Sequence, residues 1–325
     1  MKVLSLAALI SLVNASVVSK RASPLDVKLE LTVWKTGSLF GEHVTEKAQV
    51  FQGSSKVAFG GIKLRVTTDN ISEEFFQVIA PGETVNTSFD VAELHDLSTG
   101  GTFDIASVGA FSTAPVDSTE LTGAIEFTSN TITASVDGAA AEKVRRDFTK
   151  RSTSQSDCTS TKRTSTVNAL ANCRTLAQAA YNAASTNTAK VQEYFKSTPS
   201  STISTLRTVL QRVVTECGSS TSGVSRTYCT DVYGACGSNV LAYTLPSASY
   251  IVNCPLYFSA LPALTKTCHA QDQATTTLHE VTHLSQIGGT GDLGCGYAAA
   301  TRLSTSSALN ADSYALFANA IYAGC

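Results

Sequence analysis

Charge is scarce in this chain. Asp, Glu, Lys and Arg make up 15% of its 325 residues, below the ~25% typical of soluble domains, while an apolar share of 43% is ordinary. Basic clusters of the kind that hold nucleic acid are missing, and a net charge of −2 selects no partner. Beyond the N-terminus no apolar run approaches the ~18 residues of a membrane-spanning helix. No long-period repeat is present. Cysteine is absent from the first 157 residues, yet nine follow, at positions 158, 173, 217, 229, 236, 254, 268, 295 and 325. So uneven a split points to two regions with different tasks.

What is present begins with a pattern for export. Lys2 is followed by VLSLAALISLV, and Val13 and Ala15 are the small residues ahead of a cut expected at Ser16, so residues 1–15 read as a signal peptide. An exported, extracellular chain is expected to oxidise its cysteines, and an odd count leaves at least one without an intramolecular partner. Residues 16–151 are expected to be β-rich. LDVKLELTVW, KVAFGGIKLRV, FFQVIA, TFDIASV, AIEFT and TITASV are short alternating or β-branched runs parted by turn signals, as in a β-sandwich. Asn70 and Asn86 head glycosylation sequons in this half.

The joint AEKVRRDFTKRSTSQSDC is polar and carries two dibasic pairs, Arg145-Arg146 and Lys150-Arg151. Composition changes at the second, so a processing protease is expected to cut after Arg151, with Lys20-Arg21 as a minor earlier site. From Ser152 onward ten basic residues face eight acidic ones, against fourteen and eighteen before it. Residues 152–325 are expected to be mainly helical, over TSTVNALANCRTLAQAAYNAA, TISTLRTVLQRVVTEC, DQATTTLHEVTHLSQI and TSSALNADSYALFANAIY. VLAYTLP and SYIVNC supply a small β region.

Within the third of these helices lies HEVTH. His279 and His283 are four apart, so both rings leave one helix face and can converge on an ion, with the Glu280 carboxylate beside them. A catalytic zinc takes a third protein ligand. The chain has five histidines; His43 and His95 fall in the β-rich half, and His269 precedes the motif by ten residues. A histidine six residues after His283 would be position 289, which is Gly289, and no glutamate follows Glu280. The acids left downstream are Asp292 and Asp312. Asp292 is the better ligand, because Gly288-Gly289-Thr290-Gly291 can turn the chain back beneath the histidines. Asp312 shares the buried stripe of the last helix with Leu309 and Leu316, where it suits a hydrogen bond to the far nitrogen of a ligating ring.

From SDC at 156–158 through YCTDVYGACGSNVLAYTLPS and CHAQDQATTTLHEVTH to GTGDLG and NADSYALFANAIY, the second half resembles the deuterolysins, secreted zinc endopeptidases of the aspzincin group. The resemblance implies a multidomain chain with a β-sandwich-like propeptide and a mainly α zincin-type domain holding one zinc ion. It implies His279, His283 and Asp292 as ligands, Glu280 as general base, and disulfides 158–229, 236–254 and 268–325. Cys173 and Cys217, at opposite ends of the helical segment, are then expected to form a fourth. Partners implied are protein or peptide substrates, basic ones by family habit, the chain's own propeptide and a dibasic processing protease, with neither nucleic acid nor membrane. One departure stands out. The family pattern GTxDxxYG here reads GTGDLGCG, with Cys295 in place of an oxyanion-stabilising tyrosine and Tyr297 two residues further on. That change leaves a second function open, a catalytically weakened homologue acting as a secreted binding or effector protein.

Overall fold

The computed structural model describes residues 7–10, 25–28, 32–34, 43–80, 83–149, 158–304 and 307–325. The expected cuts at Ser16, Lys20-Arg21 and Lys150-Arg151 lie outside the described residues. Two compact units divide the chain. One comprises Met1–Ile62, Ser72–Glu120 and Ile125–Thr153; the other comprises Lys63–Ile71, Leu121–Ala124 and Ser154–Cys325.

The first unit is β-rich. One four-stranded sheet runs in the order Gly123–Thr128, Val108–Ala114, Thr32–Trp34, Phe76–Gln77; another runs Ile132–Val136, Gly101–Ala106, Gln49–Gln52, Ser55–Lys56. In the second sheet Ile132, Ala134 and Val136 alternate inward and join Phe103, Ile105 and Val50 in one core. The polar joint is not a plain linker: Gly138–Thr149 is a helix. Its alanines and long charged side chains are good helix formers, and the Asp137 carboxylate accepts the Ala139 and Ala140 N–H groups at its start. Asn70 and Asn86 are both exposed.

The second unit is mixed. Helices α1 (Ser160–Thr186), α2 (Thr188–Phe195) and α3 (Ser200–Glu216) bury small and branched residues against one another. Leu176, Ala177 and Ala180 of α1 share a core with Leu206, Leu210 and Val213 of α3. A four-stranded sheet contains β1 (Lys63–Val66), β2 (Arg226–Tyr228), β3 (Val240–Leu245) and β4 (Tyr250–Asn253), in the order β2-β4-β3-β1. VLAYTLP and SYIVNC thus form the antiparallel pair β3–β4. The further strand comes from the β-rich half, for β1 lies antiparallel to β3 with Arg65 opposite Ala242 and Leu64 opposite Tyr243. Every residue of β3 is buried, in keeping with a strand covered on both faces and both edges.

The short helices α4 (Pro255–Ala260) and α6 (Gly296–Ala300) flank the long α5 (Gln273–His283) and α7 (Ala311–Ala323). The last two differ from the sequence reading. Helix α5 ends at His283 rather than at the glycines, because Leu284 turns to an extended ψ of 130°. Helix α7 starts at Ala311 rather than near 305, because the backbone around Asn310 is bridged to Gly291. Leu309 therefore falls outside the buried stripe and is 59% exposed, whereas Asp312 and Leu316 are buried.

Disulfides join Cys158 to Cys229, Cys173 to Cys217, Cys236 to Cys254 and Cys268 to Cys325. The second ties α1 to the end of α3 across 44 residues. Replacing Cys173 and Cys217 together by Ala should lower stability by about 2–4 kcal/mol. Urea unfolding followed on the helical signal would read this, and an unchanged midpoint would show that the core holds α1 and α3 without the bridge.

Candidate active site

Helix α5 carries three threonines in its first turns, a composition that favours strands over helices. Its start is fixed by a reciprocal cap: Asp272 Oδ1 accepts the Thr275 N–H at 2.7 Å, and Thr275 Oγ1 accepts the Asp272 N–H at 3.1 Å. The Thr277 and Thr282 hydroxyls donate to carbonyls within the helix, at 2.8 and 2.7 Å. All eleven residues are buried, so packing outweighs the weak propensity.

The chain then folds back under the helix end. The Leu284 carbonyl accepts the N–H groups of Ile287, Gly288 and Gly289. A Cβ at Gly288 would stand 2.8 Å from the Thr282 carbonyl oxygen, and Gly289 has φ +58°, so both positions call for glycine. Thr290 N–H donates to Thr282 O, and the following residues are clamped by the segment before α7. Gly291 N–H donates to Leu309 O at 2.7 Å, and Ala311 N–H donates to Gly291 O at 3.0 Å. Asn310 Oδ1 accepts from Leu293 and Gly294 N–H, while its Nδ2 donates to Gly294 O.

This clamp delivers Asp292 to the histidines. Its Oδ1 lies 3.0 Å from His279 Nε2 and 3.2 Å from His283 Nε2, and the three ligand atoms fall within 4.8 Å of one another. Both rings are fixed from behind. His283 Nδ1 is 2.9 Å from the Thr290 carbonyl, which can only accept, so this nitrogen carries the proton. His279 Nδ1 donates likewise to Asp312 Oδ1 at 2.9 Å. In neutral rings the two Nε2 lone pairs therefore face a carboxylate oxygen. Despite the short separations, none of these three atoms has a hydrogen-bonding partner among the described residues, and all are buried. Such a convergence of lone pairs is relieved by a cation, and two imidazoles with one carboxylate form a donor set suited to zinc.

The electrostatics carry the same strain. Burial, reinforced by the Arg65 charge, brings His279 down to about 3. Burial opposes charge on His283 and Asp292 alike, but their mutual attraction prevails, raising His283 and holding Asp292 well below the usual carboxylate range. Burial pushes Glu280 up to about 8. Glu280 Oε2 accepts the Thr244 hydroxyl of β3 at 2.6 Å, and its Oε1 is buried with no partner among the described residues.

Around this centre stand further groups, four of which sequence patterns did not single out. Asp312 Oδ2 accepts Gly296 N–H at 2.6 Å, and its Oδ1 is shared between His279 and the Arg65 guanidinium of β1. Leu64 N–H, also from β1, donates to Asp292 Oδ2 at 3.0 Å. Thr244, Asn310, Leu64 and Arg65 lie 36, 18, 216 and 215 residues from Glu280, Asp292, Glu280 and Glu280 respectively, and no local spacing could have linked them. Cys295, outside the four disulfides, precedes α6, and burial lifts its thiol to about 12. Tyr297 turns to α2, where its hydroxyl donates to Glu193 Oε1 at 2.9 Å and its ring stacks on His269 at 3.7 Å. His269 in turn is engaged with the Tyr194 hydroxyl at 2.9 Å.

A buried pair of helical histidines, an adjacent glutamate and a converging aspartate thus meet in the second unit. Residues 39–325 match the model of the Deuterolysin metalloprotease (M35) family. A "Neutral protease 2 homolog" of Phaeosphaeria nodorum is 50% identical over 352 residues, covering 100% of this chain and 99% of that one. One of Colletotrichum graminicola is 48% identical over 342 residues, covering 98% and 97%. Among solved structures, a zinc peptidase from Grifola frondosa aligns at 26% identity with a TM-score of 0.40, covering 50% of this chain and 97% of that one. The chain belongs to the deuterolysin metalloprotease family. It is a metalloendopeptidase.

The Asn310 clamp makes a stability prediction that needs no catalysis. Asn310→Ala leaves the Leu293 and Gly294 N–H groups without their acceptor, at a cost of about 1–3 kcal/mol. Hydrogen exchange in residues 290–294 should quicken accordingly; unchanged protection would mean that the backbone bonds of Gly291 hold the loop alone.

Proposed function

We propose that the second unit is a zinc endopeptidase domain in which His279, His283 and Asp292 hold one zinc ion and Glu280 is the general base. The observation that carries this reading is the meeting of three buried, unpartnered donor atoms beside a buried carboxylate. When bound, zinc supplies Lewis acidity, which acidifies water and polarises a carbonyl oxygen. Thr244 holds Glu280 Oε2, leaving Oε1 to take the proton of the attacking water and pass it to the leaving amine. A pKa lifted by burial makes this carboxylate a better base than an exposed one, and a neighbouring cation offsets part of that lift. Asp312 fixes the His279 ring and its tautomer, and Thr290 O does the same for His283.

In the same reading residues 1–15 direct secretion, residues 16–151 are a β-sandwich-like propeptide, and cleavage at Lys150-Arg151 releases a mature domain of residues 152–325. Four disulfides suit an extracellular enzyme. Proteins and peptides are the substrates, with basic ones favoured as in the family it resembles.

Metal analysis of the purified chain tests the ligand set. Asp292→Ala should abolish stoichiometric zinc together with peptide hydrolysis, whereas Asp312→Ala should weaken zinc about 10- to 100-fold. Zinc that survives loss of Asp292 but not of Asp312 would reverse their roles.

Cys295 favours lowered activity rather than none. With its thiol held protonated by burial it is a weak donor where an oxyanion needs a strong one. Losing one such donor commonly costs about 100- to 1000-fold in rate. Cys295→Tyr should therefore raise kcat by up to about 100-fold with zinc content unchanged. Equal turnover of the two proteins would show that another group already supports the oxyanion.

A further inference from the structure

Residues 63–71 precede the rest of the second unit by a long stretch of chain, yet they belong to it. The way they are held is distinctive. Strand β1 adds to the edge of β3, and nearly every other bond made to this segment is to its backbone. Asp292 Oδ2 accepts the N–H of Leu64 at 3.0 Å. Gln271 clasps two peptide groups at once, donating to Val66 O at 2.9 Å and accepting Thr68 N–H at 3.0 Å. Asn239 O accepts Thr67 N–H at 2.9 Å. Backbone bonds along a sheet edge are how proteins take up extended peptides of many sequences. One side chain adds specificity: Arg65, 3% exposed, reaches Asp312 beside His279.

None of these contacts is needed to complete the centre. Without β1, Asp312 keeps His279 Nδ1–H and Gly296 N–H, and Asp292 Oδ1 still faces both rings. What departure of β1 would uncover is the hydrogen-bonding edge of β3, whose Thr244 touches Glu280. A cut anywhere between Ser72 and Thr153 would leave Lys63–Ile71 joined to the helical part by non-covalent contacts alone.

We propose that the segment 63–68 is a tethered peptide ligand of this domain: it occupies the β3 edge where an extended substrate would lie, is anchored by Arg65 on Asp312, and keeps the uncut chain closed. Any extended peptide entering beside Glu280 must displace it. The proposal rests on the endopeptidase reading above for what it blocks, but not for where it sits.

The test uses the full chain with Lys150→Ala and Arg151→Ala to prevent processing. Leu64→Pro removes the N–H given to Asp292 and stiffens the strand; Arg65→Ala removes the anchor, and Arg65→Lys restores a cation. Hydrogen exchange across Val240–Leu245 and hydrolysis of an unstructured fluorogenic peptide are measured together, with zinc content and α5 exchange as controls. Leu64→Pro and Arg65→Ala should each speed exchange in β3 and raise hydrolysis by at least about 10-fold over the uncut parent, with Arg65→Lys between. Unchanged β3 exchange in both variants overturns the proposal. So does a freely exchanging β3 edge with no gain in hydrolysis, when the chain cut after Arg151 is active. If no form hydrolyses peptide, the endopeptidase reading falls, and β3 exchange alone still supports or overturns the seat of the segment.

Discussion

Two neutral imidazole rings held at Nδ1 are left with lone pairs on their other nitrogens. The Thr290 carbonyl and the Asp312 carboxylate each take a ring proton, so both Nε2 atoms present lone pairs toward Asp292 Oδ1. In a buried setting three such lone pairs repel until a cation, or a second proton on His283, stands between them, and the surrounding elements fix each one independently. Helix α5 sets the two rings four residues apart, the glycine turn returns Thr290 beneath its end, and the bridge from Gly291 to residues 309–311 sets Asp292. Leu278 and Val281 of α5 and the following Leu284 share one core with α1 and α3.

Glu280 shows the same economy of means. It follows His279 directly, yet one of its oxygens is held by β3 and the other has no partner among the described residues. Burial raises its affinity for a proton, and Thr244 limits the directions in which that proton can be taken up. A carboxylate that is both buried and half satisfied is costly in a purely structural role.

How far the sequence reveals all this depends on the range of each interaction. His279, Glu280 and His283 sit within five residues, and helical periodicity alone places them together. Elimination leaves Asp292 and Asp312 downstream, and the glycine turn favours Asp292; of the apolar neighbours that mark Asp312 as buried, Leu316 is buried but Leu309 is exposed. The β-rich and helical halves are likewise legible, as strand and helix periods differ. Helix ends are not: α5 and α7 both stop short of their apolar patterns because the backbone at Leu284 and Asn310 is recruited to the loop between them. Propensity has no access to a bond between residues 291 and 309. The charged joint, legible as a boundary, is helical through Thr149 because its alanines outweigh its polarity.

Least legible is the boundary between the two halves as units of structure. KVAFGGIKLRV reads as one strand of a β-rich domain, and its apolar alternation gives no hint that Ile62 and Lys63 part company. The alternation specifies only that residues 63–66 are extended with buried neighbours; it does not say which sheet supplies them. The β3 edge does so here, with Ala242 and Tyr243 opposite Arg65 and Leu64. An arginine in such a strand is discordant, since a buried guanidinium needs a carboxylate and the nearest in sequence, Asp69, is exposed. Asp312 answers that need from the far end of the chain. A buried charge in an otherwise apolar strand is thus the visible trace of a long-range contact, and here it leads to the carboxylate bonded to the His279 ring.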